Sequence, residues 1–385
     1  MHYPKFNQLL VQNTKQLLIF NTSNSVRQSF FSGLKVVELA SVLAGPAVGM
    51  FFAELGAEVV KIENRSTGGD VTRGWKQPAE DPRSPVSAYW SSVNWGKTHL
   101  LLNLDEPADH AQALHLIAHA DVLISNFKPS SARRMGVDAD TLRARHPRLI
   151  FAQINSFADP EDESPAFDMV LQAEAGFLHM CGEPERPPVR MPVALIDVLA
   201  AHQLKEAVLL GVLHRERTGE GSTVSISLME AALASLVNQA SNYLMTGQVP
   251  QRMGTRHPNI APYGDVFTCA DGQSLLLAAG TERQFRQLCL LLDLPQLAEH
   301  PDFQRNTDRV AHRDALCAHI AAVIGTQPLE HWMQACRTHA VPAARIRDMR
   351  AVFERPEAQA MILEEKTPEG VATRRMRTVA FSMQA

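Results

Sequence analysis

From Leu34 to Ile154 the chain alternates short β-branched runs with longer segments of helical period, and few folds accept that alternation. Leu34-Lys35-Val36-Val37-Glu38-Leu39 reads as a strand. Pro46 then sits where a first helical turn accepts it, and Gly56 closes a segment ending Phe51-Phe52-Ala53-Glu54-Leu55. Ala57 to Glu63, Thr98 to Leu104, Asp121 to Ser125 and Leu149 to Ile154 read as four further strands, with helical segments near Ala108 to Ala118 and Ala139 to Arg145. Strands alternating with helices imply right-handed crossovers and a largely parallel sheet, an α/β fold. Ligands of such sheets bind at the carboxyl ends of the strands. The loops that matter are therefore Ala40 to Gly45, Asn64 to Arg73 and Asn126 to Ser131.

The first of these loops, Ser41-Val42-Leu43-Ala44-Gly45-Pro46, lacks the G-x-G-x-x-G of dinucleotide sites, and no G-x-x-x-x-G-K-[ST] occurs in the chain. What the loops offer is a set of cations at strand ends, Arg65, Arg73, Lys97, Lys128, Arg133 and Arg134, beside Asn126 and Phe127. Each alone reads most simply as a solvated charge. Together they suit a phosphorylated ligand. A net charge of -4 with Lys and Arg spread along the chain leaves no basic stripe for nucleic acid. Five cysteines, odd in number and without a C-x-x-C, argue against disulfides and a zinc site and for a reducing compartment. No apolar run reaches the eighteen or so residues that span a bilayer. Residues 1–32 lack acids and fit neither a secretory signal nor an Arg-rich transit peptide, so they read as a plain N-terminal extension. The expected location is cytoplasmic, with the mitochondrion as the alternative.

Chemistry points to Ala166-Phe167-Asp168-Met169-Val170-Leu171-Gln172, which sets a carboxylate at the mouth of an apolar helical segment after a loop rich in Pro, Glu and Asp. Asp168 reads either as a cap for that helix or as a reactive group. Gln172 and Gly176 at close spacing, and a second Asp-bearing stretch, Pro192-Val193-Ala194-Leu195-Ile196-Asp197, favour the reactive reading. After Gly221 the alternation weakens. A helix is expected over Leu228 to Leu244, then a Gly- and Pro-containing linker from Arg252 to Gly264. Asp265 to Ala279 reads as two strands around Asp271-Gly272, followed by helical segments at Gln284 to Leu292 and Arg313 to Ile324.

Gly33-Leu34-Lys35-Val36-Val37-Glu38-Leu39, Leu43-Ala44-Gly45-Pro46, Leu55-Gly56-Ala57-Glu58-Val59-Val60-Lys61-Ile62-Glu63, Gly69-Asp70-Val71-Thr72-Arg73, Asp121-Val122-Leu123-Ile124-Ser125-Asn126-Phe127, Pro147-Arg148-Leu149-Ile150-Phe151-Ala152 and Thr218-Gly219-Glu220-Gly221 together resemble the class III CoA-transferase family, typified by formyl-CoA transferase and carnitine CoA-transferase. The likeness runs from about Gly33 to about Arg377. It implies a nucleotide-binding-like large domain with a mainly parallel sheet, a smaller α+β domain and a homodimer of interlocked chains. On that pattern residues 33–225 form the large domain, 226–244 a linker helix, 245–340 the small domain, and 341–385, from near Pro342, return to the large one.

The resemblance also implies site roles. Asp168 falls at the place of the family's nucleophile, with Phe167 where Tyr is common. A carboxylate attacking an acyl-CoA thioester gives an anhydride that CoA thiolate can reopen to an aspartyl-CoA thioester, whereas a serine ester is too inert to hand CoA back. Coenzyme A and acyl-CoA enter as substrates, a small carboxylic acid is the other partner, and no tightly bound cofactor or metal is expected. The CoA contacts implied are Val42, Ala44, Arg65, Lys97, Asn126, Phe127 and Arg134, with backbone N–H groups near Leu43 and Ala44 facing a developing oxyanion. Leu43 stands where formyl-CoA transferase has Gln, and Ala278-Ala279-Gly280-Thr281-Glu282 replaces its glycine-rich loop, which argues against oxalate as substrate. Gly254-Thr255-Arg256-His257-Pro258-Asn259 looks closer to the dicarboxylate-using members, and Arg256 either grips a far carboxylate or forms a linker salt bridge. Two alternatives stand beside CoA transfer: an α-methylacyl-CoA racemase, and a non-catalytic CoA-binding relative. The racemase acid-base pair would need His at Phe167 and Asp at Asp197.

Overall fold

A strand buried on both faces needs apolar side chains pointing alternately to two cores, and β1 (Lys35–Leu39) supplies them. In the computed structural model, which describes residues 29–159 and 161–382, Val36 enters one core with α1 (Ala44–Glu54), while Val37 and Leu39 enter the other. The chain continues through β2 (Glu58–Asn64), α2 (Ala88–Ser91), β3 (Thr98–Leu102), α3 (Pro107–Ala118), β4 (Val122–Ser125), α4 (Pro129–Arg134), α5 (Ala139–Arg145) and β5 (Ile150–Asn155). Then follow α6 (Asp168–Glu174), α7 (Phe177–Met180), the long α8 (Leu195–Thr218) and β6 (Thr223–Ser227). The six strands form one parallel sheet in the order β3-β2-β1-β4-β5-β6. Strand order reverses between β1 and β4, the position at which a sheet of this kind opens a crevice for a ligand.

The expected strands and helices up to β5 are present, and α8 and β6 are among the elements that were not expected. α8 and β6 extend the large domain, and α8 packs along α1, β5 and β6 through Ala200, Ala201, Leu204 and Val208. The single helix expected from Leu228 to Leu244 is two, α9 (Leu228–Ala234) and α10 (Val237–Thr246), parted at Ser235-Leu236 with Val237 at φ 35°. Leu228, Ala231 and Ala232 of α9 join the large core, so this part of the segment is no free linker.

The small domain holds the antiparallel pair β7 (Tyr263–Thr268) and β8 (Ser274–Ala278) around Asp271-Gly272. α11 (Glu282–Leu291) follows, opened by a capping box in which Thr281 and Gln284 exchange side-chain and backbone bonds. β9 (Ala343–Arg345) pairs with β8, so the small sheet reaches past the boundary drawn at residue 340. The chain then forms a hairpin, β10 (Ile362–Lys366) and β11 (Ala372–Met376), whose Leu363 packs on Met50 and Trp95 of the large domain. Glu54 at the end of α1 accepts from the Thr378 and Val379 N–H groups. The N-terminal extension lies outside the described residues up to residue 28. Its last residues are not separate from the core: Ser29–Phe31 form a 3-10 turn, Phe31 N–H donates to Leu55 O at 2.8 Å, and the Phe31 ring lies 5.3 Å from that of Phe52. Among the described residues no helix is long and apolar enough to cross a membrane.

Candidate active site

The three loops singled out by their position at strand ends meet in one cleft of about 630 Å³. Ser41 comes from the first, Asn64, Thr67, Asp70 and Val71 from the second, and Asn126, Phe127, Lys128 and Ser131 from the third, with Arg134 of α4 on the rim. Asn126 holds the first loop from the other side of the switch point: its Oδ1 accepts from Ser41 N–H at 3.2 Å and its Nδ2 donates to Ser41 O at 3.1 Å. The next residue, Val42, has φ 71°, a left-handed conformation that costs a β-branched residue on the order of 1–3 kcal/mol. Asp70 holds it there, accepting the Val42 N–H at 3.1 Å. Leu43 is the N-cap of α1 and makes no side-chain cap, so the first N–H groups of the helix, from Ala44 on, stay uncapped by side chains.

Behind this loop lies a buried charge network. Lys61 Nζ is 2.9 Å from Glu38 Oε1 and 3.1 Å from Asp70 Oδ2, and Lys97 Nζ is 2.7 Å from Glu38 Oε2, all four side chains fully enclosed or nearly so. Burial pushes the Glu38 carboxyl up, but the two ammoniums outweigh it and hold it below the usual range. Burial lowers Lys97 to about 8 against the pull of Glu38. Gly49 makes room for the pair, since a Cβ there would lie 2.0 Å from Glu38 Oε2. Lys97, expected as a CoA contact, has its ammonium turned inward, donating also to Pro46 O and Asn94 Oδ1, and it is not among the residues that line the cleft.

Of the other expected contacts, Asn126, Phe127 and Arg134 line the cleft, Arg134 pairing with Asp105 at 2.5 Å. Arg65 is exposed and paired with Asp109 at 2.8 Å. Arg73 is turned inward on Glu63 and the Trp90 ring. Arg133 pairs with Glu161, and Lys128 donates to Glu163 O. Arg256 sits in the small domain, 2.9 Å from Asp314 and 3.4 Å from Asp265, which is the salt-bridge arrangement rather than a free guanidinium.

Asp168 is the first residue of α6 and does not cap it; the N-cap is Phe167. Its carboxylate instead crosses to the start of α8, where Oδ1 accepts from Ile196 N–H at 2.6 Å. Oδ2 accepts from Gln172 Nε2 at 2.6 Å, and Gln172, fully buried, is itself fixed by Met191 N–H on its Oε1 at 3.0 Å. Asp197, the third residue of α8, lies beside this pair and is nearly buried. Burial first, and then the Asp168 charge, push its carboxyl up to about 7. Tyr89 faces the same acids: burial, followed by the charges of Asp197, Asp168 and Asp70, pushes its phenol up to about 12. The Trp75 ring lies 5.1 Å from Tyr89 and 6.3 Å from Phe167, so an aromatic group flanks Asp168. Sequence reasoning missed Trp75 and Tyr89; the available signal was two aromatic residues in a polar segment following one of the three marked loops.

Comparison with known proteins finds similar chains over nearly the whole length of this one. A succinate–glutarate CoA-transferase of Agrobacterium fabrum is 36% identical over 344 residues, covering 87% of this chain and 84% of that one. An acetyl-CoA:oxalate CoA-transferase of Acetobacter aceti is 34% identical, covering 86% of this chain and 84% of that one. The crystal structure of a CaiB/BaiF family protein from Brucella suis superposes with a TM-score of 0.77 at 34% identity, covering 91% of this chain and 92% of that one. Residues 31–385 match the family described as CoA-transferase family III, and with relatives of this identity and coverage the chain belongs to that family.

Proposed function

We propose that this class III CoA-transferase moves CoA from an acyl-CoA donor to a carboxylic acid, a dicarboxylate of the succinate or glutarate kind, with Asp168 as covalent nucleophile. The observation that carries the reading is the Asp168 carboxylate, half-buried and held by two donors at the start of a 24-residue helix beside a flanking group of aromatic rings. Attack of an Asp168 oxygen on the thioester carbon breaks the C–S bond and leaves CoA thiolate and a mixed anhydride. The thiolate then attacks the Asp168 carbonyl carbon, the donor acid departs, and an aspartyl-CoA thioester remains. An acceptor carboxylate reverses both steps. The half-exposed rings of Phe167 and Trp75 suit the exclusion of water that an anhydride needs. Asn126, Phe127 and Arg134, which line the cleft, take the CoA moiety, with Val42, Ala44 and Arg65 as the further contacts that the family pattern implies.

Relatives named for succinate, glutarate and oxalate support a dicarboxylate acceptor, and the reading of Arg256 as its partner requires the Asp314 and Asp265 pairs to yield. Racemase chemistry would need an ionisable group at Phe167, and a phenyl ring neither gives nor takes a proton. We read the assembly as an interlocked homodimer; Leu210 of α8 and Val237, Leu244 and Met245 of α10 are apolar and more than half exposed, a surface that a second copy would cover. An acceptor screen with succinyl-CoA, acetyl-CoA and oxalyl-CoA, following new thioesters by mass, tests the function. Transfer to C4 and C5 dicarboxylates is expected. Deuterium uptake at the α-carbon of a 2-methylacyl-CoA with no transfer to any acid would overturn it.

A further inference from the structure

A carboxylate that becomes an anhydride and then a thioester must itself pass through a tetrahedral state. When CoA thiolate attacks the Asp168 carbonyl carbon, the bond to the bridging oxygen breaks, the donor acid leaves with that oxygen, and negative charge gathers meanwhile on the oxygen Asp168 keeps. Something must stabilise that charge, and the donor must stand where the charge develops. At Asp168 two donors already stand there. Ile196 N–H, 2.6 Å from Oδ1, belongs to the first turn of α8, whose N-cap Ala194 makes no side-chain bond; Leu195 N–H is taken by Val193 O, and it is the Ile196 N–H that meets Asp168, at the positive end of the helix dipole. The second donor is the Gln172 amide at 2.6 Å from Oδ2. Gln172 is fully buried, and the Met191 N–H on its Oε1 fixes the amide so that its NH2 end faces Asp168.

We propose that Gln172 is a catalytic residue, the oxyanion donor for the carbonyl of Asp168 in the step that loads CoA onto it, while Ile196 N–H of α8 holds the other Asp168 oxygen. The inference rests on Asp168 being the covalent nucleophile. In the resting enzyme the two donors hold the carboxylate in one plane. When Oδ1 attacks and becomes the bridging oxygen of the anhydride it turns into a weak acceptor, and the retained Oδ2 keeps the Gln172 amide as its donor. As thiolate adds, that donor meets a full negative charge, so its effect is larger in the transition state than in the anhydride. Asp197 belongs to the same turn and feels the Asp168 charge. Below about pH 7, where its carboxyl is mostly neutral, it adds little repulsion at the moment the oxyanion forms.

The test separates the two chemical steps. Enzyme is mixed with acyl-CoA without acceptor, quenched in acid within milliseconds to seconds, and weighed intact. Wild type is expected to accumulate the CoA-mass adduct. Gln172→Leu should form the acyl-mass adduct at a rate near that of wild type but convert it to the CoA adduct about 100-fold more slowly, as for loss of one oxyanion donor. The KM for acyl-CoA should stay within about twofold. Gln172→Glu keeps the size and the bond to Met191 N–H. Its carboxyl donates to Asp168 only when protonated, so its conversion rate should recover as the pH falls, while that of Gln172→Leu should not. Equal loss of both adducts in a folded Gln172→Leu protein, or no recovery of Gln172→Glu at low pH, would overturn the proposal while leaving Asp168 as nucleophile. Absence of any adduct in wild type with steady transfer would instead remove the reading on which it rests.

Discussion

Two groups of enclosed acids lie near the carboxyl edge of the large sheet, and they are built in opposite ways. Glu38 and Asp70 are surrounded by ammoniums, Lys61 between them and Lys97 on the far side of Glu38, and charge is balanced within a few ångströms. Asp168 and Asp197 face each other's charge with backbone and amide donors but with no ammonium or guanidinium among the groups that shift Asp197. In the first group the carboxyl of Glu38 is held down; in the second that of Asp197 is pushed up. Balanced burial fixes a shape, here the strained Val42 turn at the switch point, because removing one partner strands the other charge. Unbalanced burial keeps a carboxyl reactive or protonated, which is what chemistry requires.

The contrast breaks most sharply under substitution. Asp168→Asn should lower CoA transfer by at least about 10⁴-fold, the scale of losing a covalent nucleophile, with the thermal midpoint close to wild type. Lys61→Met should do the reverse: it takes the ammonium from Asp70, leaves Glu38 to Lys97 alone, and should cost about 3–5 kcal/mol in urea unfolding. Lys97→Met belongs with Lys61→Met, losing stability rather than raising the KM for acyl-CoA.

Asp197→Asn sharpens the comparison through pH. A carboxyl raised from 3.8 to about 7 binds its proton more tightly in the folded chain than in the unfolded one. Its stabilising contribution is full below about pH 4 and is lost as the pH rises to about 7. Measured against wild type, the asparagine variant should therefore gain relative stability over that window by up to about 4 kcal/mol, at about 1.4 kcal/mol per unit, and stay level above it. A difference flat from pH 4 to 8 would place Asp197 in an ordinary environment. The smallest effect belongs to the cleft rim. Arg134→Ala, at an exposed residue paired with Asp105, should leave stability within about 0.5 kcal/mol and raise the KM for acyl-CoA more than it lowers kcat, an effect that shrinks with added salt.

Much of this was legible because local pattern and tertiary role agreed. The β-branched runs and their intervening helices are read by period, and the three cleft loops follow from their place at strand ends. α8 escaped notice because it is apolar on more than one side: Ala200, Leu204 and Val208 face the core while Leu209, Leu210 and Leu213 are exposed, so no polar stripe marks a helical face. The break after α9 depends on a positive φ at Val237, which its side chain does not announce. The inward turn of Lys97 was not legible because a lysine at a strand end is usually solvated, and the long-range meeting with Glu38 of β1 shows that it is internal. Asp168 was legible as a carboxylate at a helix start. That it is held from α8, twenty-eight residues on, required the fold.

The central claim is that Asp168 becomes covalently acylated and then carries CoA. Acid quench during turnover, followed by peptide mass analysis, tests it directly. The account predicts an acyl or CoA adduct confined to the peptide bearing Asp168, trapped by hydroxylamine and absent from Asp168→Asn. Steady transfer with no adduct on that peptide, or full activity of Asp168→Asn after deamidation to Asp has been excluded by mass, would contradict it.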